Sequence, residues 1–514
     1  MMWLGIRFYV LLALTFVIAG QVAADERRSG EPIAKADENK PNVVVILADD
    51  LGWNSVGYHN KNFPTPNIDR LVREGVELNQ FYVAPMCSPT RAGLMTGRYP
   101  IRFGAARAVI PPYRDFGLPV SEVTLPERLA DLGYANRGVF GKWHLGHRRS
   151  KWHPLNQGFT HFHGHYNGAI DYFELTREDV RDWHVDAQPS DEQGYSTHLI
   201  ADAAAKWITD SSASEAPYFC YVPFNAPHSP FQAPEETIAR FDDRNSAKTK
   251  GNKPGKARNI AILKAMIWEM DEGVGRILKS IEDSGEANNT IVWFLSDNGG
   301  VGSLPRLNSP LRGSKLTVYE GGVRVPSCIR WPDRLAAGVK SEHVCGYIDV
   351  LPTIVDAAGG EIIADPELPL DGISLLSGLT SSDQFKSDGR PWYSYHGQSG
   401  DENEHLAVLV DGWKLKVNGP QLISESQLTE PKAGVELFHL STDPNETKNL
   451  ATDYPDKVGR LGRMLIEYRA LQPSDAVPPY GVGSKGFVPP PKWHVDLSTP
   501  DVLVGAYPDG EDQQ

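Results

Sequence analysis

The sequence predicts an α/β fold: a large, mostly parallel β-sheet between helices, followed by a smaller antiparallel sheet packed with one helix. Three observations carry this. Short apolar runs recur at Val43–Leu47, Tyr218–Val222 and Ile291–Leu295, with a similar one, interrupted by Asn136 and Arg137, at Ala135–Phe140; such runs read as strands buried on both faces, as in parallel sheets. Helical patterns lie between them, and Leu263, Met266, Met270, Val274, Ile277 and Ile281 mark one apolar helix face. Past a Gly-, Pro- and Ser-rich stretch near Asp365–Arg390, three short strands are expected at His405–Val410, Trp413–Val417 and Glu436–His439. Asp411-Gly412 supplies a hairpin turn there, and Asp456–Leu471 the helix.

The 514 residues exceed one ordinary domain. Residues 1–24 read as a signal peptide: Arg7, an apolar run Phe8–Ile18, then Val22-Ala23-Ala24 for cleavage. The expected destination is periplasmic or extracellular, or lysosomal-type in a eukaryote. Residues 25–40 are a polar leader. The expected division is 41–385 for a large N-terminal domain, 386–472 for the smaller C-terminal domain and 473–514 for a Pro/Gly-rich tail that wraps the surface or is disordered. No stretch after the signal peptide is long and apolar enough to span a bilayer. A net charge of −14 argues against nucleic-acid partners. Four cysteines are few for a secreted scaffold: Cys220 reads as core, and Cys328 and Cys345 are a candidate pair that spacing cannot decide.

Two predicted strands end in acidic or amide residues, Asp49-Asp50 after the first and Asp297-Asn298-Gly299-Gly300 after the fourth. Ligands of α/β sheets gather beyond the carboxyl ends of strands. Taken singly, each feature has a structural reading: a solvated acidic loop, a turn, a satisfied histidine. Together, Asp49, Asp50, Asp297 and Asn298 form a hard-oxygen set suited to Ca²⁺ or Mg²⁺. Arg91, Lys142, His144, His228 and Lys315 add cations and proton carriers. A divalent cation among such groups can hold a tetrahedral anion, so an acidic protein concentrates positive charge at one place.

The run Cys87-Ser88-Pro89-Thr90-Arg91, with Met95-Thr96-Gly97-Arg98 behind it, resembles the sulfatase signature. The ordered segments Leu47–Trp53, Gly141–Gly146, Ala226-Pro227-His228, Ser296–Gly300, Leu311–Lys315, Glu320–Pro326 and Leu437–Leu440 extend the likeness over roughly residues 40–470. The chain is similar to type I, formylglycine-dependent sulfatases with the alkaline-phosphatase-like fold, near the arylsulfatase B-like group (N-acetylgalactosamine-4-sulfatases and bacterial relatives). The resemblance implies that Cys87 is oxidised to Cα-formylglycine by a formylglycine-generating or anaerobic maturation enzyme. It also implies one Ca²⁺ (Mg²⁺ being the lesser expectation) on Asp49, Asp50, Asp297, Asn298 and residue 87. One hydroxyl of the hydrated aldehyde would attack sulfur, with Asp297 as base. His228, with Lys315, would protonate the leaving alcohol. His144 would help the second hydroxyl expel sulfate from the hemiester. Arg91 and Lys142 would orient residue 87 and the sulfate. Thr90 and Met95 stand where the signature often has serine and leucine, both mild departures.

A sulfated carbohydrate is the substrate so implied. The alternatives are a phosphate-monoester or phosphonate hydrolase of the same superfamily, and a catalytically dead binding protein. His161, His163 and His165 alternate and on a strand would share a face, where zinc binding, substrate lining together with Tyr166 or Asp171, and plain packing compete. Trp183 and His184 are candidates for sugar stacking or packing. Asn288 and Asn445 head N-x-Thr sequons, which matter only in a glycosylating host.

Overall fold

A computed structural model describes residues 40–242, 254–362, 365–381, 389–430 and 434–498. The expected signal peptide and almost all of the expected leader, the end of the tail from 499, and parts of the Asp365–Arg390 stretch lie outside the described residues. The strands are β1 (Asn42–Ala48), β2 (Val76–Tyr82), β3 (Asn136–Lys142), β4 (His161–His165), β5 (Thr176–Arg177), β6 (Val180–Arg181), β7 (His184–Val185), β8 (Gln188–Pro189), β9 (Tyr218–Pro223), β10 (Thr290–Ser296), β11 (Ser327–Arg330) and β12 (Val339–Gly346). A second set is β13 (Trp392–His396), β14 (Glu404–Val410), β15 (Trp413–Gly419) and β16 (Gly434–His439).

Ten strands form one sheet in the order β12-β2-β11-β10-β1-β9-β3-β4-β7-β8. The four runs expected as strands are its contiguous, mutually parallel centre, β10-β1-β9-β3. The apolarity of β1, β9 and β10 is explained by burial on both faces, whereas β3 opens on half-buried Asn136 and Arg137. Val43, Val45 and Leu47 enter one core, and Val44, Ile46 and Ala48 the other. The second core is capped by the helix Pro254–Asp283, whose Met266, Met270, Val274 and Ile277 are all inside it. Antiparallel partners enter only outside the centre, where β11 joins β10 and β7 joins β4.

The four-stranded sheet β13-β14-β15-β16 is antiparallel throughout. Its inward residues Leu406, Val408, Leu415 and Val417, with Leu461 and Leu465 of the helix Pro455–Arg469, share the first core. The β14–β15 turn has positive φ at both Asp411 and Gly412, the geometry that such a two-residue hairpin demands. The α/β expectation with a smaller antiparallel sheet therefore holds.

Cys328 and Cys345 are free thiols. They flank β2 on β11 and β12, opposite Glu77 and Phe81, but Cys328 points into the second core and Cys345 into the first. Opposite faces of one sheet place their Cβ vectors apart, which excludes the bond. Cys220 is buried on β9, as expected of a core residue. Among the described residues no helix is long and apolar enough to cross a membrane.

Candidate functional site

The register Ala48↔Ser296 between parallel β1 and β10 places Asp49-Asp50 beside Asp297-Asn298. The two strand ends are stitched directly: Asp297 N–H donates to Ala48 O at 3.0 Å and Asp50 N–H to Asp297 Oδ1 at 3.2 Å. Ser296 Oγ adds a bridge, accepting from Leu51 N–H and donating to Asn298 O, both at 3.0 Å. Lys142 ends β3, His144 follows it, and His228 lies in the loop after β9. Cys87 begins the helix Cys87–Thr96, at the positive end of its dipole. Asp50, His144 and Leu316, next to Lys315, hold left-handed backbone without being glycine, a strain that the surrounding packing must sustain.

The carboxylates are laced to fixed cations. Lys142 Nζ lies 2.6 Å from Asp49 Oδ2, and Lys315 Nζ lies 2.7 Å from Asp50 Oδ1. Arg91 donates to Asp297 Oδ2 from Nε at 3.1 Å and Nη2 at 2.8 Å, and to Lys142 O at 2.8 Å. Three buried oxygens nevertheless have no hydrogen-bond partner: Asp49 Oδ1, Asp50 Oδ2 and Asn298 Oδ1. Ligand atoms of Asp49, Cys87 and Asp297 lie within 4.8 Å of one another, as do those of Asp49, Asp50 and His228. A buried acceptor without a partner is costly, and these are hard donors of the kind that a divalent cation takes. The residues therefore fit an acidic metal site. Burial and the neighbouring Asp49 carboxylate push Asp297 up to about 6 against the pull of Arg91 and Lys142, a conflict that a cation relieves.

The site has a closed and an open side. Asp49, Arg91 and Lys142 are 0 % exposed, whereas the side chains of Lys315 and His228 are 14 % and 18 % exposed. His144 Nε2 faces Ile110 O at 3.1 Å. A carbonyl only accepts, so Nε2 carries the proton and the Nδ1 lone pair faces Cys87 Sγ at 3.3 Å. Burial, then Lys142 and Arg91, hold His144 neutral by pulling its pKa well down. By the same argument His228 Nδ1 donates to Ser229 O at 2.6 Å, leaving Nε2 towards Asp50 Oδ2 at 3.6 Å. Burial pushes the Cys87 thiol up, the reverse of what activates a cysteine nucleophile.

The family model described as Sulfatase matches residues 41–360, and that of the N-sulphoglucosamine sulphohydrolase C-terminal region matches residues 314–467. The chain belongs to the sulfatase family. It is a sulfuric ester hydrolase, and its reaction is hydrolysis of a sulfate ester. Similar proteins include N-acetylgalactosamine-6-sulfatase of Mus musculus, 31 % identical over 85 % of this chain and 88 % of the relative. Arylsulfatase J of Mus musculus is 29 % identical over 92 % and 84 %, and arylsulfatase A of Homo sapiens 31 % over 80 % and 83 %. The crystal structure of Ps i-CgsB in complex with k-i-k-neocarrahexaose superposes with a TM-score of 0.74 at 25 % identity, covering 85 % of this chain and 94 % of that one.

In this sulfatase all ten residues singled out from the sequence converge on one place: Asp49, Asp50, Cys87, Arg91, Lys142, His144, His228, Asp297, Asn298 and Lys315. The histidines of β4 do not form a further site. His161 pairs with Asp186, His163 with Glu192, and His165 Nδ1 with Asn167 O, each at 2.6–2.9 Å. The two metal-type clusters among the described residues include none of them. Trp183 and His184 are wholly buried packing residues, and His184 stacks on Tyr166 at 4.1 Å. Asp171 caps the turn at Phe173 and Glu174. Two positioning residues were missed. Tyr172 donates its hydroxyl to Asn225 O at 2.5 Å and His228 O at 2.8 Å. Asn308 holds Gly300 through both amide atoms, at 2.8 and 3.0 Å. Neither lies in a segment with a recognisable pattern.

Away from the reacting cluster, burial pulls His153 down to about 3 and His147 and His396 to about 4. Below the unfolded value near 6.5, the unfolded chain gains protons that the folded chain refuses. Their contribution is thus complete above about pH 6.5 and is lost as the pH falls towards 4 and 3, at up to roughly 1.4 kcal/mol per unit per group. Asp271, raised to about 7, and Asp297, raised to about 6, act in the opposite sense over this range but are outnumbered; denaturant unfolding at pH 7, 6 and 5 should still show falling stability, and a rising trend would contradict the buried neutral histidines.

Proposed function

We propose that this sulfatase hydrolyses the sulfate ester of a carbohydrate, with residue 87 matured to formylglycine, Ca²⁺ at the acidic cluster, and His144 and His228 handling protons. The observation that carries the residue roles is the exposure gradient: the groups assigned to the leaving alcohol are the two that reach the opening. What supports the carbohydrate is the chemistry named for the relatives, N-acetylgalactosamine-6-sulfatase and a structure holding a neocarrahexaose. Within the family we place the chain with the arylsulfatase B-like group on its motif set, while the relatives named above bear the names of arylsulfatases J and A and a 6-sulfatase.

Ca²⁺ would be held by Asp49, Asp50, Asp297 and Asn298 with residue 87, and when bound it polarises the sulfate and offsets charge on its oxygens. As a hydrated formylglycine, residue 87 supplies one hydroxyl for attack and a second whose deprotonation releases sulfate. The chain does the rest. The carboxylates of Asp49, Asp50 and Asp297 are matched in formal charge by Arg91, Lys142 and Lys315. A divalent cation therefore leaves the cluster positive for an anionic ester. Cys87 Sγ marks where the oxygens of residue 87 would sit, and His144 Nδ1 faces that position as proton acceptor. Arg91 and Lys142 are fixed by their carboxylates, so they orient neighbours without reorganising. Lys315 Nζ meets the ester oxygen from the open side as a donor, and His228, which burial and then Lys315 pull down to about 3, must take up a proton at Nε2 before it acts as acid there.

The proposal is tested on matured enzyme with an aryl sulfate and the matching aryl phosphate. Sulfate should be turned over faster, the residue-87 peptide should weigh roughly 18 Da less than the thiol by atom arithmetic, and Cys87→Ala should remove turnover. Better turnover of phosphate would favour the phosphate-hydrolase alternative. His228→Ala should cost roughly 10²–10⁴-fold on an alkyl or sugar sulfate and less on a nitrophenyl sulfate, whose leaving group needs no proton; equal losses would remove its role as acid. Ca²⁺ added to metal-stripped protein should raise the unfolding temperature, equivalent to about 2.7 kcal/mol at a hundredfold excess over Kd. Asp50→Asn should shrink that shift, and the cation assignment fails if wild type shows none.

A further inference from the structure

The family matches end at residue 467, but the described chain continues to 498. Residues 473–498 contain no helix or strand of their own and are held by contacts to loops of the large sheet and to the β13–β14 loop of the smaller one. Buried Val477 donates its N–H to Gly104 O at 2.8 Å, and Tyr480 donates to Gln398 O at 3.0 Å. Arg114 Nη2 donates to Pro479 O at 2.8 Å, and the Tyr113 hydroxyl donates to Tyr480 O. Phe487 meets the Tyr113 ring edge-on at 6.1 Å and lies under the Arg148 guanidinium at 5.6 Å. Trp493 is 1 % exposed. It stacks on Phe487 at 6.4 Å, meets His147 edge-on at 5.6 Å, and donates its indole N–H to Arg177 O at 3.0 Å.

Each side of Trp493 leads to one of the two histidines. On one side, His147 Nε2 reaches Pro112 O at 3.1 Å. That loop also carries Ile110, whose carbonyl accepts from His144 Nε2. Ile110 N–H donates to Ser88 Oγ at 3.2 Å, and Ser88 Oγ donates to His144 O at 3.0 Å. On the other side, Arg177 lies on β5, whose Thr176 O accepts from Asp171 N–H at 2.9 Å. The next residue, Tyr172, holds the His228 carbonyl. Indole is suited to this: a large rigid face with one directed donor.

We propose that segment 476–495 is a positioning strap, anchored by Trp493, that fixes His144 and His228 relative to each other. Its bearing on turnover rests on the proton-handling roles given to those histidines above. An error on the order of 1 Å in such placement costs up to about a hundredfold in rate. In the full-length matured enzyme, Trp493→Ala should lower kcat on an alkyl sulfate by roughly tenfold or more while KM moves far less. Trp493→Phe, which keeps an aromatic ring and loses the N–H to Arg177 O, should recover only part of kcat and should still quicken exchange at 170–178. Hydrogen exchange in Trp493→Ala should quicken at 108–115 and at 170–178 while β1 and β10 stay protected. Unchanged kcat with exchange altered only in 473–498 would overturn the strap, as would a loss of kcat that merely tracks faster exchange throughout the fold. His144→Ala and His228→Ala, run alongside, separate the two ideas. Wild-type turnover in both would overturn the proton-handling roles and with them the strap's catalytic bearing, whereas loss in both with normal Trp493→Ala overturns the strap alone.

Discussion

Three carboxylates converge at the ends of two neighbouring parallel strands, and most of the surrounding structure answers the charge they create. Asp49, Asp50 and Asp297 sit in a desolvated pocket where mutual repulsion would drive protons onto them. Lys142, Arg91 and Lys315 come from three other segments to oppose that repulsion, each at 2.6–2.8 Å. Each partner then needs its own anchor. Arg91 is tied to the Lys142 carbonyl, and Asn308 holds Gly300, which in turn accepts from Lys315 N–H. The positive φ at Asp50, His144 and Leu316 is the backbone's share of the same requirement. The partnerless oxygens of Asp49, Asp50 and Asn298 are what the fixed cations leave for a mobile one.

Three of the four central strands were legible because burial on both faces leaves an unbroken apolar run; β3, which opens on Asn136 and Arg137, was read from its shorter apolar end. The helix Pro254–Asp283 was legible because one side of it meets solvent. Strands outside that centre were not. β2 reads Val-Glu-Leu-Asn-Gln-Phe-Tyr and β12 includes Lys340, Glu342 and His343, so neither carries a run that stands out from a loop. β13 was missed beside three neighbours that were found, since Trp392–His396 is short and follows a Gly- and Ser-rich stretch.

The site was legible for a different reason. Its acidic pairs directly follow the two most readable strands, so locating the strands located the ligands. What remained hidden was support: Tyr172, Asn308, the Ile110 carbonyl and the Trp493 indole act through single directed hydrogen bonds between distant segments, and no local spacing encodes these. The alternating histidines of β4 show the limit of spacing from the other side. Period-two spacing does put them on one face, but each is taken by a separate partner, and coordination needs convergence as well as a shared face.

The parallel centre also sets an order on assembly. β1 is among the first elements to leave the ribosome, yet its partners β9 and β10 lie about 176 and 248 residues further along the chain. Until they are made, a strand of Val-Val-Val-Ile-Leu has both edges open and both faces apolar. Such a segment is a template for association between nascent chains, and pairing at that separation is slow because loop closure precedes any gain. The same topology that brings four acidic and amide residues to one point thus leaves the first strand without its second partner until about 248 further residues have been made.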